Sequence, residues 1–442
     1  MAGLKSIFKL KLHWQILIAL ILAVVAGSLS GKTASVAGIA FYDIFAFFGA
    51  LFMNALKMII IPLIVSSIIV GVAGIGGRHS LARMGGRTLL YYLTTSLFAI
   101  LIGLFFVNLL APGIVNGQAA QAVLGLDMEQ GRMAVAKVNN HGVADIATVF
   151  LNMVPANVIA AAANGQLLGL IFFSILFGYF MTKIQEDYAE AQFNFWQGLF
   201  EVMMNITDLV MKFAPLGIFA LVAKVIAGME GHSLLGLAET LSWFFLSVIL
   251  ALATHTFVTL PLLLKFVGRV NPKRHFQAMA PALLTAFSTA SSSATLPMTM
   301  ECVEKNAGVS NKTTSFVLPL GATVNMDGTA LYECVAAMFI AQAYGLELSF
   351  SVQFTIVLVA LLTSIGVAGI PAASLVAITI ILGVIGLPAE GLGLILVVDR
   401  ILDMFRTSVN IFSDSCGAVI IGRLEGEGNI LQESALPVAK AV

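Results

Sequence analysis

Charged residues are scarce in this chain, and those present favour neither sign. Of 442 residues, 23 are Lys or Arg and 23 are Asp or Glu, a charged share of 10%, whereas a soluble globular chain carries about 25%. Hydrophobic residues make up 59% of the sequence. Because the basic residues form no patch, we expect no nucleic-acid partner. The composition predicts a polytopic membrane protein embedded in a lipid bilayer.

Cysteine and the motifs of hydrolases are also nearly absent. Cys302, Cys334 and Cys416 have no metal-binding spacing, so buried free thiols are predicted. The chain contains neither Gly-x-Ser-x-Gly nor Gly-x-Gly-Asp, which disfavours a membrane-embedded protease. Of its six histidines, only His255 falls within a predicted span, where we expect a packing or helix-bonding role. We therefore expect no enzyme activity.

Apolar runs long enough to cross a bilayer recur along the first 270 residues. They lie at about 13–30, 40–73, 87–111, 146–183, 192–228 and 236–267. Basic residues cluster before the first run, after the second and after the sixth, which places these ends on the cytoplasmic side. We interpret the first run as a retained helix and expect both chain termini to be cytoplasmic.

Two apolar segments in the second half are interrupted by small residues and proline. The first, 276–301, contains a serine-rich run and has basic residues on both flanks, as expected of a re-entrant hairpin. The second, 350–387, is broken between Thr363 and Pro371 in the same way. One full span follows each segment, at 314–344 and 391–421. Paired interrupted segments of this kind indicate inverted repeats around a transporter's binding site.

The span between the two hairpins carries oxygen ligands where a helix can unwind. Gly321 and Gly328 bracket a segment that can expose its carbonyl groups. Thr323, Asn325 and Asp327 add side-chain oxygens. Oxygen donors alone suit Na⁺, Ca²⁺ or Mg²⁺, and a desolvated monovalent ion is the simplest expectation.

A polar stripe runs along the final predicted helix. At about 100° per residue, six polar residues share roughly one third of its circumference. They are Asp399, Asp403, Arg406, Thr407, Asn410 and Asp414, with Arg400 at the margin. Each ionisable group would cost about 3 kcal/mol in the middle of a lipid-facing helix, so these groups must face protein, water or a ligand. A self-neutralising ion network is the alternative, but Thr407 and Asn410 favour a ligand site.

The segment 325–329, the serines 291–293 and this polar stripe together resemble the dicarboxylate/amino acid:cation symporter family, which includes the excitatory amino acid transporters and archaeal aspartate transporters. The resemblance implies an all-α membrane protein with eight transmembrane helices and two re-entrant hairpins in inverted repeats. It also implies a homotrimer in the plasma (cell inner) membrane. In this family a static scaffold supports a transport domain that moves by an elevator mechanism.

The same resemblance divides the chain into scaffold and transport parts. Scaffold helices 1–2 would span 1–74, transport helix 3 87–111, scaffold helices 4–5 146–228, and transport helix 6 236–267. The transport core of hairpin 1, helix 7, hairpin 2 and helix 8 would span 272–424. A polar C-terminal tail with no expected role would cover 425–442.

The resemblance assigns the substrate site to the two hairpin tips and two helices. Its residues would be Ser291, Ser292, Ser293, Thr329, Ile370, Pro371, Asp403, Arg406, Thr407 and Asn410. Asp403 would take the substrate's ammonium group, Asn410 its α-carboxylate, and Arg406 a side-chain carboxylate through two N–H groups. Asp399 and Arg400 would be supporting charges.

Three sodium sites follow from the same resemblance. They would comprise Gly321, Asn325, Asn410 and Asp414; Thr323, Ser364, Ile365 and Val367; and Tyr92, Thr95, Ser96, Asn325 and Asp327. Glu333 stands where archaeal members carry glutamine and excitatory transporters a glutamate proposed as the proton carrier. A buried carboxyl group can hold a proton at neutral pH. Proton movement with sodium, and potassium counter-transport, are therefore hypotheses.

We expect a secondary active symporter for L-glutamate and L-aspartate, coupled to Na⁺ and H⁺. The alternative is a proton- or sodium-coupled C4-dicarboxylate symporter. Arg406 disfavours a neutral substrate, whereas Asp403 favours one with an ammonium group. An ion channel is less favoured, since a uniform pore would not need both residues.

Overall fold

The computed structural model describes residues 12–75, 79–115, 117–120, 151, 154–164, 167–228, 234–346, 348–366, 373–387 and 391–431. These residues are mostly helical, which agrees with the predicted all-α class. The first helices are α1 Leu12–Ser30, α2 Phe41–Ile75, α3 His79–Leu110, α4 Val158–Ala163, α5 Leu167–Met181, α6 Glu186–Lys212, α7 Ala214–Gly228, α8 Leu234–Thr254 and α9 Leu260–Phe266. A π-helical turn, His255–Thr259, joins α8 to α9.

The second half continues in helices. They are α10 Pro272–Thr289, α11 Ser292–Glu301, α12 Asn311–Val324, α13 Asp327–Ala343, α14 Phe350–Gly366, α15 Ala373–Val384 and α16 Leu392–Leu424. A second π-helical turn, Cys302–Asn306, follows α11. Two antiparallel pairs of short strands lie in loops, β1 Ser35–Val36 with β2 Ile39–Ala40, and β3 Ile114–Val115 with β4 Gln118–Ala119.

Three described helical stretches are long and apolar enough to cross a membrane, namely Phe41–Gly74, Arg83–Leu110 and Gly236–Phe266. The pair α6 and α7 would be a fourth if it forms one span, although a 55° bend separates the two helices. The sequence predicts one continuous run over 192–228. Pro215 explains the break, because proline lacks the N–H that would continue the helical ladder across Phe213.

The helices pack in two connected sets. In the first half, α1 and α2 lie against α7, and α2 also contacts α5 and α6. In the second half, α16 contacts α8 and α10 to α13, while α13 lies against α3, α14 and α15. Cys302, Cys334 and Cys416 are buried and free, as predicted. Of all the helices, α16 carries the largest number of predicted site residues, and α13 packs against it.

The first interrupted segment forms a helical hairpin of α10 and α11, which pack against each other. The chain reverses at Ala290, which has a left-handed backbone with φ of 48°, and at Ser291, which is extended. Ser291 caps α11 because its Oγ accepts a hydrogen bond from the Ala294 N–H. The interruption is therefore two residues long, and Pro297 lies inside α11.

The predicted unwinding between Gly321 and Gly328 is narrower than expected. Gly321 remains in α12 and Gly328 lies in the first turn of α13, so only Asn325 and Met326 leave the helical conformation. Hydrogen bonds from the Asn325 side chain to α16 accompany this break. The break turns the Asn325 side chain and the start of α13 toward the same face of α16.

Residues 425–431, here called the C-terminal strap, begin the segment that is expected to be a polar tail, and they dock against neighbouring helices. Ile430 and Leu431 are buried, and the Leu431 N–H donates to the carbonyl oxygen of Ala307. Near the start of the strap, Arg87 of α3 pairs with Glu425 at 2.6 Å. The strap therefore joins the end of α16 to the start of α3 and to the end of the first hairpin.

Glu427 fastens the strap to the start of α12. Its carboxylate accepts hydrogen bonds from the Ser310 N–H, the Ser310 hydroxyl and the Thr313 hydroxyl, at 2.6 to 2.8 Å. Partial burial acts to raise the pKa of Glu427, but these donors outweigh burial and lower the pKa below its ordinary value. The carboxylate also lies at a helix N-terminus, where negative charge is favourable.

Candidate substrate and ion site

Arg406 lies at the centre of the polar stripe of α16 and is 1% exposed. Its Nη2 lies 3.0 Å from Oδ1 of Asp399 and 3.0 Å from Oδ1 of Asp403. Its guanidinium sits 3.9 Å from the centre of the Tyr332 ring. Within the described part of the chain, Nε and Nη1 have no hydrogen-bond acceptor. The guanidinium is therefore held by two carboxylates and the Tyr332 ring, and two of its nitrogen atoms are buried without an acceptor from the described residues.

The acidic partners of Arg406 are shared with a second arginine. Arg400 Nη1 lies 3.1 Å from Oδ2 of Asp403, so both arginines bind that carboxylate. Asp399 and Asp403 are only partly buried. These contacts form the self-neutralising network that the sequence leaves as an alternative. The network accounts for the carboxylates but not for the unpaired donors of Arg406.

Asn410 connects α16 to the first turn of α13. Its Oδ1 accepts from the Gly328 N–H at 2.8 Å, and its Nδ2 donates to Thr329 Oγ1 at 3.1 Å. A Cβ on Gly328 would lie 2.6 Å from the Arg406 carbonyl oxygen, so glycine permits this close approach. Thr407 donates to the Asp403 carbonyl oxygen, and its side chain is nearly buried. The structure thus brings Thr329, Asn410 and the backbone of Arg406 together.

The tip of the first hairpin lies within the described residues, whereas most of the tip of the second does not. Ser292 is buried and Ser293 is exposed, and neither hydroxyl has a hydrogen-bond partner among the described residues. Ser408 of α16 reaches the Leu283 carbonyl oxygen of α10 at 3.4 Å, which ties the first hairpin to the polar helix. At the second hairpin, Val367, Ile370 and Pro371 lie outside the described residues.

Four of the residues predicted for the first and third sodium sites form one buried cluster. Asn325 Nδ2 donates to Asp414 Oδ1 at 2.9 Å, and Thr95 Oγ1 lies 3.4 Å from Asn325 Oδ1. Gly321 lies directly against Asp414, since a Cβ at this glycine would be 2.5 Å from Oδ1. The structure thus brings together Gly321, Asn325 and Asp414 of the first predicted set, whereas the fourth member, Asn410, bonds to Gly328 and Thr329 of α13.

Asp327 belongs to the same cluster. Ser96 Oγ donates to Asp327 Oδ1 at 2.7 Å, and Ser413 Oγ donates to Oδ2 at 2.6 Å. Ser413 also accepts a hydrogen bond from Asn325 Nδ2 at 3.1 Å. Tyr92 is fully buried and donates its hydroxyl to the Val317 carbonyl oxygen at 2.7 Å. Hydrogen bonds thus link Thr95 to Asn325 and Ser96 to Asp327, two pairs of residues predicted for the third site, while Tyr92 bonds to a backbone carbonyl outside that set.

The second predicted sodium site is described only in part. Ser364 is buried and donates to the Leu361 carbonyl oxygen at 2.8 Å. Thr323 lies in α12 and Ile365 in α14, and their side chains are outside the described part of the structure. Among the described residues, no group of three or more His, Cys, Asp or Glu side chains could hold a metal ion. The oxygen clusters above consist mainly of hydroxyl, amide and single carboxylate groups.

Glu333 is fully buried on α13. Its Oε2 accepts a hydrogen bond from Thr363 Oγ1 of α14 at 3.0 Å. Its Oε1 has no hydrogen-bond partner within the described ranges. A half-satisfied buried carboxyl group is a suitable place to hold a proton, because the neutral form is far less costly to bury than the charged form.

Four residues of the site are not among those predicted from the sequence. Only two of them follow a sequence pattern that could have identified them. Tyr332 follows Thr329 by three residues and Ser413 follows Asn410 by three, so helical spacing could have found both. Thr363 was noted only as part of the interrupted segment. His255, for which the sequence predicts a packing or helix-bonding role, has its Nε2 3.0 Å from Asp327 Oδ2. No sequence spacing predicts that contact, because it joins distant helices.

Sequence comparisons relate this chain to known proteins. A sequence profile described as the sodium:dicarboxylate symporter family matches residues 12–424. The chain is 36% identical to a proton/sodium-glutamate symport protein of Geobacillus stearothermophilus, covering 95% of this chain and 96% of that protein. It is 34% identical to the proton/glutamate-aspartate symporter of Escherichia coli (strain K12), covering 94% and 93%.

A similar match extends to an animal protein. The chain is 36% identical to excitatory amino acid transporter 3 of Homo sapiens, covering 94% of this chain and 86% of that protein. The profile and these relatives each span nearly the whole chain, including the polar stripe and the oxygen cluster. This chain therefore belongs to the sodium:dicarboxylate symporter family, whose members are integral membrane transporters rather than enzymes.

Proposed function

We propose that this chain is a secondary active symporter that takes up the acidic amino acids L-glutamate and L-aspartate together with Na⁺ and H⁺. The names of the bacterial relatives, a proton/sodium-glutamate and a proton/glutamate-aspartate symporter, support this substrate class and these ions. The residues of α13 and α16 supply a chemical reason for each part of the proposal.

The observation that carries the proposal is the pair of unpaired donors on Arg406. Nε and Nη1 are buried and have no acceptor in the described residues, while Nη2 is held by two carboxylates. Buried donors are nearly always paired, and a hydrogen bond from a guanidinium N–H to a carboxylate oxygen is among the strong ones. The side-chain carboxylate of an acidic amino acid would complete this arrangement. Tyr332 supports the guanidinium from its face.

The remaining groups of the substrate would meet the other polar residues. Asp403 would accept the ammonium group, and the Asn410 amide would bind the α-carboxylate with the hydroxyls of Thr329 and Thr407. The serines 291–293 and the second hairpin tip, with Ile370 and Pro371, would close over the substrate. This assignment follows the family resemblance and agrees with the observed contacts between Asn410 and Thr329.

Sodium coupling has a separate physical basis in the oxygen cluster. Asp327 and Asp414 are at most 1% exposed, and no salt bridge among the described residues joins either carboxylate to Lys or Arg. A buried carboxylate without a cationic partner is costly. Na⁺ among the oxygens of Asn325, Thr95, Asp327 and Asp414 would offset that cost. Sodium is a transported ion here and would leave these carboxylates when it is released.

Proton coupling would use Glu333. Its carboxyl group is buried, and among the described residues its hydrogen bond comes from Thr363, which is not an assigned sodium ligand. Potassium counter-transport is a further hypothesis, in which K⁺ would return the empty carrier after Glu333 has released its proton.

The proposal includes the architecture that the resemblance implies. The chain would form a homotrimer in the plasma (cell inner) membrane, with eight transmembrane helices, two re-entrant hairpins and cytoplasmic termini. Its transport part would move as an elevator against the scaffold. Helices α1, α2 and α5 to α7 pack mainly against one another and make smaller contacts with α16 and its neighbours, which agrees with such a division.

The test is uptake of labelled L-aspartate and L-glutamate into proteoliposomes with an imposed Na⁺ gradient, and then with only a pH gradient. We expect uptake to require Na⁺ and to rise when the interior is alkaline. Uptake driven by protons alone would remove Na⁺ coupling from the proposal while leaving the substrate site intact. Absence of uptake of either amino acid under all gradients would refute the substrate assignment.

A C4-dicarboxylate symporter is the second candidate, and one observation favours it. Asp403 is already bound by both Arg400 and Arg406, so little of its charge is left for an ammonium group. Competition by succinate separates the two candidates. If Asp403 binds the ammonium, Asp403→Asn should abolish L-aspartate uptake, and succinate should not compete in the unmodified protein. Strong succinate uptake without amino acid uptake would favour the second candidate.

A further inference from the structure

The hydroxyl group of Thr363 has one hydrogen and three acceptors within reach. Its Oγ1 lies 3.0 Å from Glu333 Oε2, 2.9 Å from the Val359 carbonyl oxygen and 3.1 Å from the Ala360 carbonyl oxygen. A hydroxyl donates a single hydrogen bond but can accept two. Only one of these three contacts can therefore use the Thr363 hydrogen at a time.

The surroundings leave Thr363 as the neighbour that can respond to the charge of Glu333. Both side chains are fully buried. The charged group that faces Glu333 is Arg406 of α16, which is already paired with two aspartates. Helices α14 and α15 contain no charged residue, α3 contains none after Arg87, and the single charged residue of α8, Glu239, is exposed.

We propose that Thr363 is a positioning residue that holds Glu333 in both of its protonation states by reversing its hydrogen bond. When Glu333 is ionised, the Thr363 hydroxyl donates to Oε2. When Glu333 is protonated, the carboxyl O–H donates to Thr363 Oγ1, and the hydroxyl turns to the Val359 carbonyl oxygen. This inference rests on the proposed function, in which Glu333 carries the transported proton.

Both states keep a hydrogen bond between Glu333 and Thr363. Binding or release of the proton therefore leaves neither Oε2 nor the Thr363 hydroxyl without a partner. The two states are not equally affected by loss of the hydroxyl, because a hydrogen bond to a charged group is about twice as strong as one between neutral groups. Removing the hydroxyl therefore disfavours the ionised form more, and the carboxyl group releases its proton only at higher pH.

The experiment compares Thr363→Val with a matched control on the same helix. Thr355 is also buried in α14, but its hydroxyl donates only to the Ser351 carbonyl oxygen. We expect Thr363→Val to move the pH profile of Na⁺-driven L-aspartate uptake to higher pH by about one pH unit. Thr355→Val and Thr363→Ser, which retains the hydroxyl, should keep the original profile.

A second measurement does not need transport. The infrared carbonyl band of protonated Glu333 is identified as the band that Glu333→Gln removes. We expect this band to move to higher frequency in Thr363→Val, because its carboxyl group has lost a hydrogen-bond partner. The band should stay in place in Thr355→Val. An unmoved band would overturn the role of Thr363 even if the valine variant were inactive.

Glu333→Gln distinguishes failure of this inference from failure of the proposed function. If Glu333→Gln keeps the original pH dependence, Glu333 is not the proton carrier, and both proposals fall. If Glu333→Gln removes the pH dependence but Thr363→Val behaves like Thr355→Val, the proton carrier stands and only the role of Thr363 is wrong. A shift by Thr363→Val that persists in the Glu333→Gln background would also overturn that role.

Discussion

His255 and Asp327 form a fully buried contact between two helices, with Nε2 of the histidine 3.0 Å from Oδ2 of the aspartate. His255 lies in the π-helical turn between α8 and α9, and Asp327 is the first residue of α13. An ionised Asp327 requires a hydrogen on Nε2, so the histidine is a donor. The contact orients Asp327 Oδ2, which also accepts a hydrogen bond from Ser413.

His255→Leu, which removes the ring N–H donor, should weaken sodium coupling more than substrate binding. Loss of the aligned donor allows Asp327 to rotate away from the oxygen cluster, and a hydrogen bond to a charged group contributes about 1.5 to 3 kcal/mol. We expect the Na⁺ concentration for half-maximal uptake to rise about tenfold or more. The control is His275→Leu, since His275 is equally buried but contacts Ser415. An equal Na⁺ dependence in both variants would contradict this role.

Gly321→Ala should impair the same cluster by crowding it. The added methyl group would lie 2.5 Å from Asp414 Oδ1 and 2.8 Å from the Tyr92 hydroxyl, so one of these groups must move. Overpacking of this kind costs about 1 to 3 kcal/mol. We expect weaker Na⁺ binding in uptake assays and a lower thermal unfolding midpoint. Gly198→Ala is the control, because a Cβ there meets no atom within 4 Å. Normal Na⁺ dependence in Gly321→Ala would contradict the assignment of this cluster as a sodium site.

Tyr332→Leu should weaken substrate binding, whereas Tyr332→Phe should largely preserve it. The aromatic ring lies 3.9 Å from the Arg406 guanidinium and keeps it oriented. A buried cation–π contact is worth about 0.5 to 2 kcal/mol, so we expect the leucine variant to raise the KM for L-aspartate by about 2- to 30-fold. Equal KM values for the two variants would show that the ring does not orient Arg406.

Glu427→Gln should lower stability at neutral pH and remove part of the pH dependence of unfolding. The pKa of Glu427 is lower in the folded protein than its ordinary value. Its contribution is therefore present above its ordinary pKa near 4.5 and is lost as the pH falls through the folded-state value. Solvent limits the effect to about 1 kcal/mol.

The measurement for Glu427 is thermal unfolding of purified protein at neutral and acidic pH. The variant and the unmodified protein should differ at neutral pH and converge in acid. Glu304→Gln is a suitable control, because Glu304 is also near the first hairpin but accepts only from Asn311 among the described residues. A difference that persists unchanged in acid would exclude the carboxylate as the source.

The sequence predicts the site's helices better than it predicts their contacts. The spacing of the polar residues correctly places Arg406, Thr407, Asn410 and Asp414 on one buried face of α16. The serine run and the two glycines likewise mark where the hairpin turns and where α12 ends. These features are local, because they depend on helical periodicity and on the backbone freedom of a few residues.

The contacts between helices could not be predicted in the same way. The hydrogen bonds of Asn325 with Asp414 and of Glu333 with Thr363 join residues 89 and 30 positions apart. They depend on how helices rotate about their axes and on one π-helical turn, which adds a residue to the ladder at His255. The strap was missed for another reason, since Glu427 and Leu431 belong to a short segment without periodicity.

The docking of the C-terminal strap has a practical consequence for labelling the protein. A fluorescent reporter joined directly after Leu424 would replace the residues that bind Arg87, Ser310, Thr313 and Ala307. Three helix ends would lose their common anchor although every transmembrane residue remained in place. Reporters attached beyond Leu431 leave these bonds intact, so a comparison of expression and folding yield between the two fusions measures what the seven strap residues contribute.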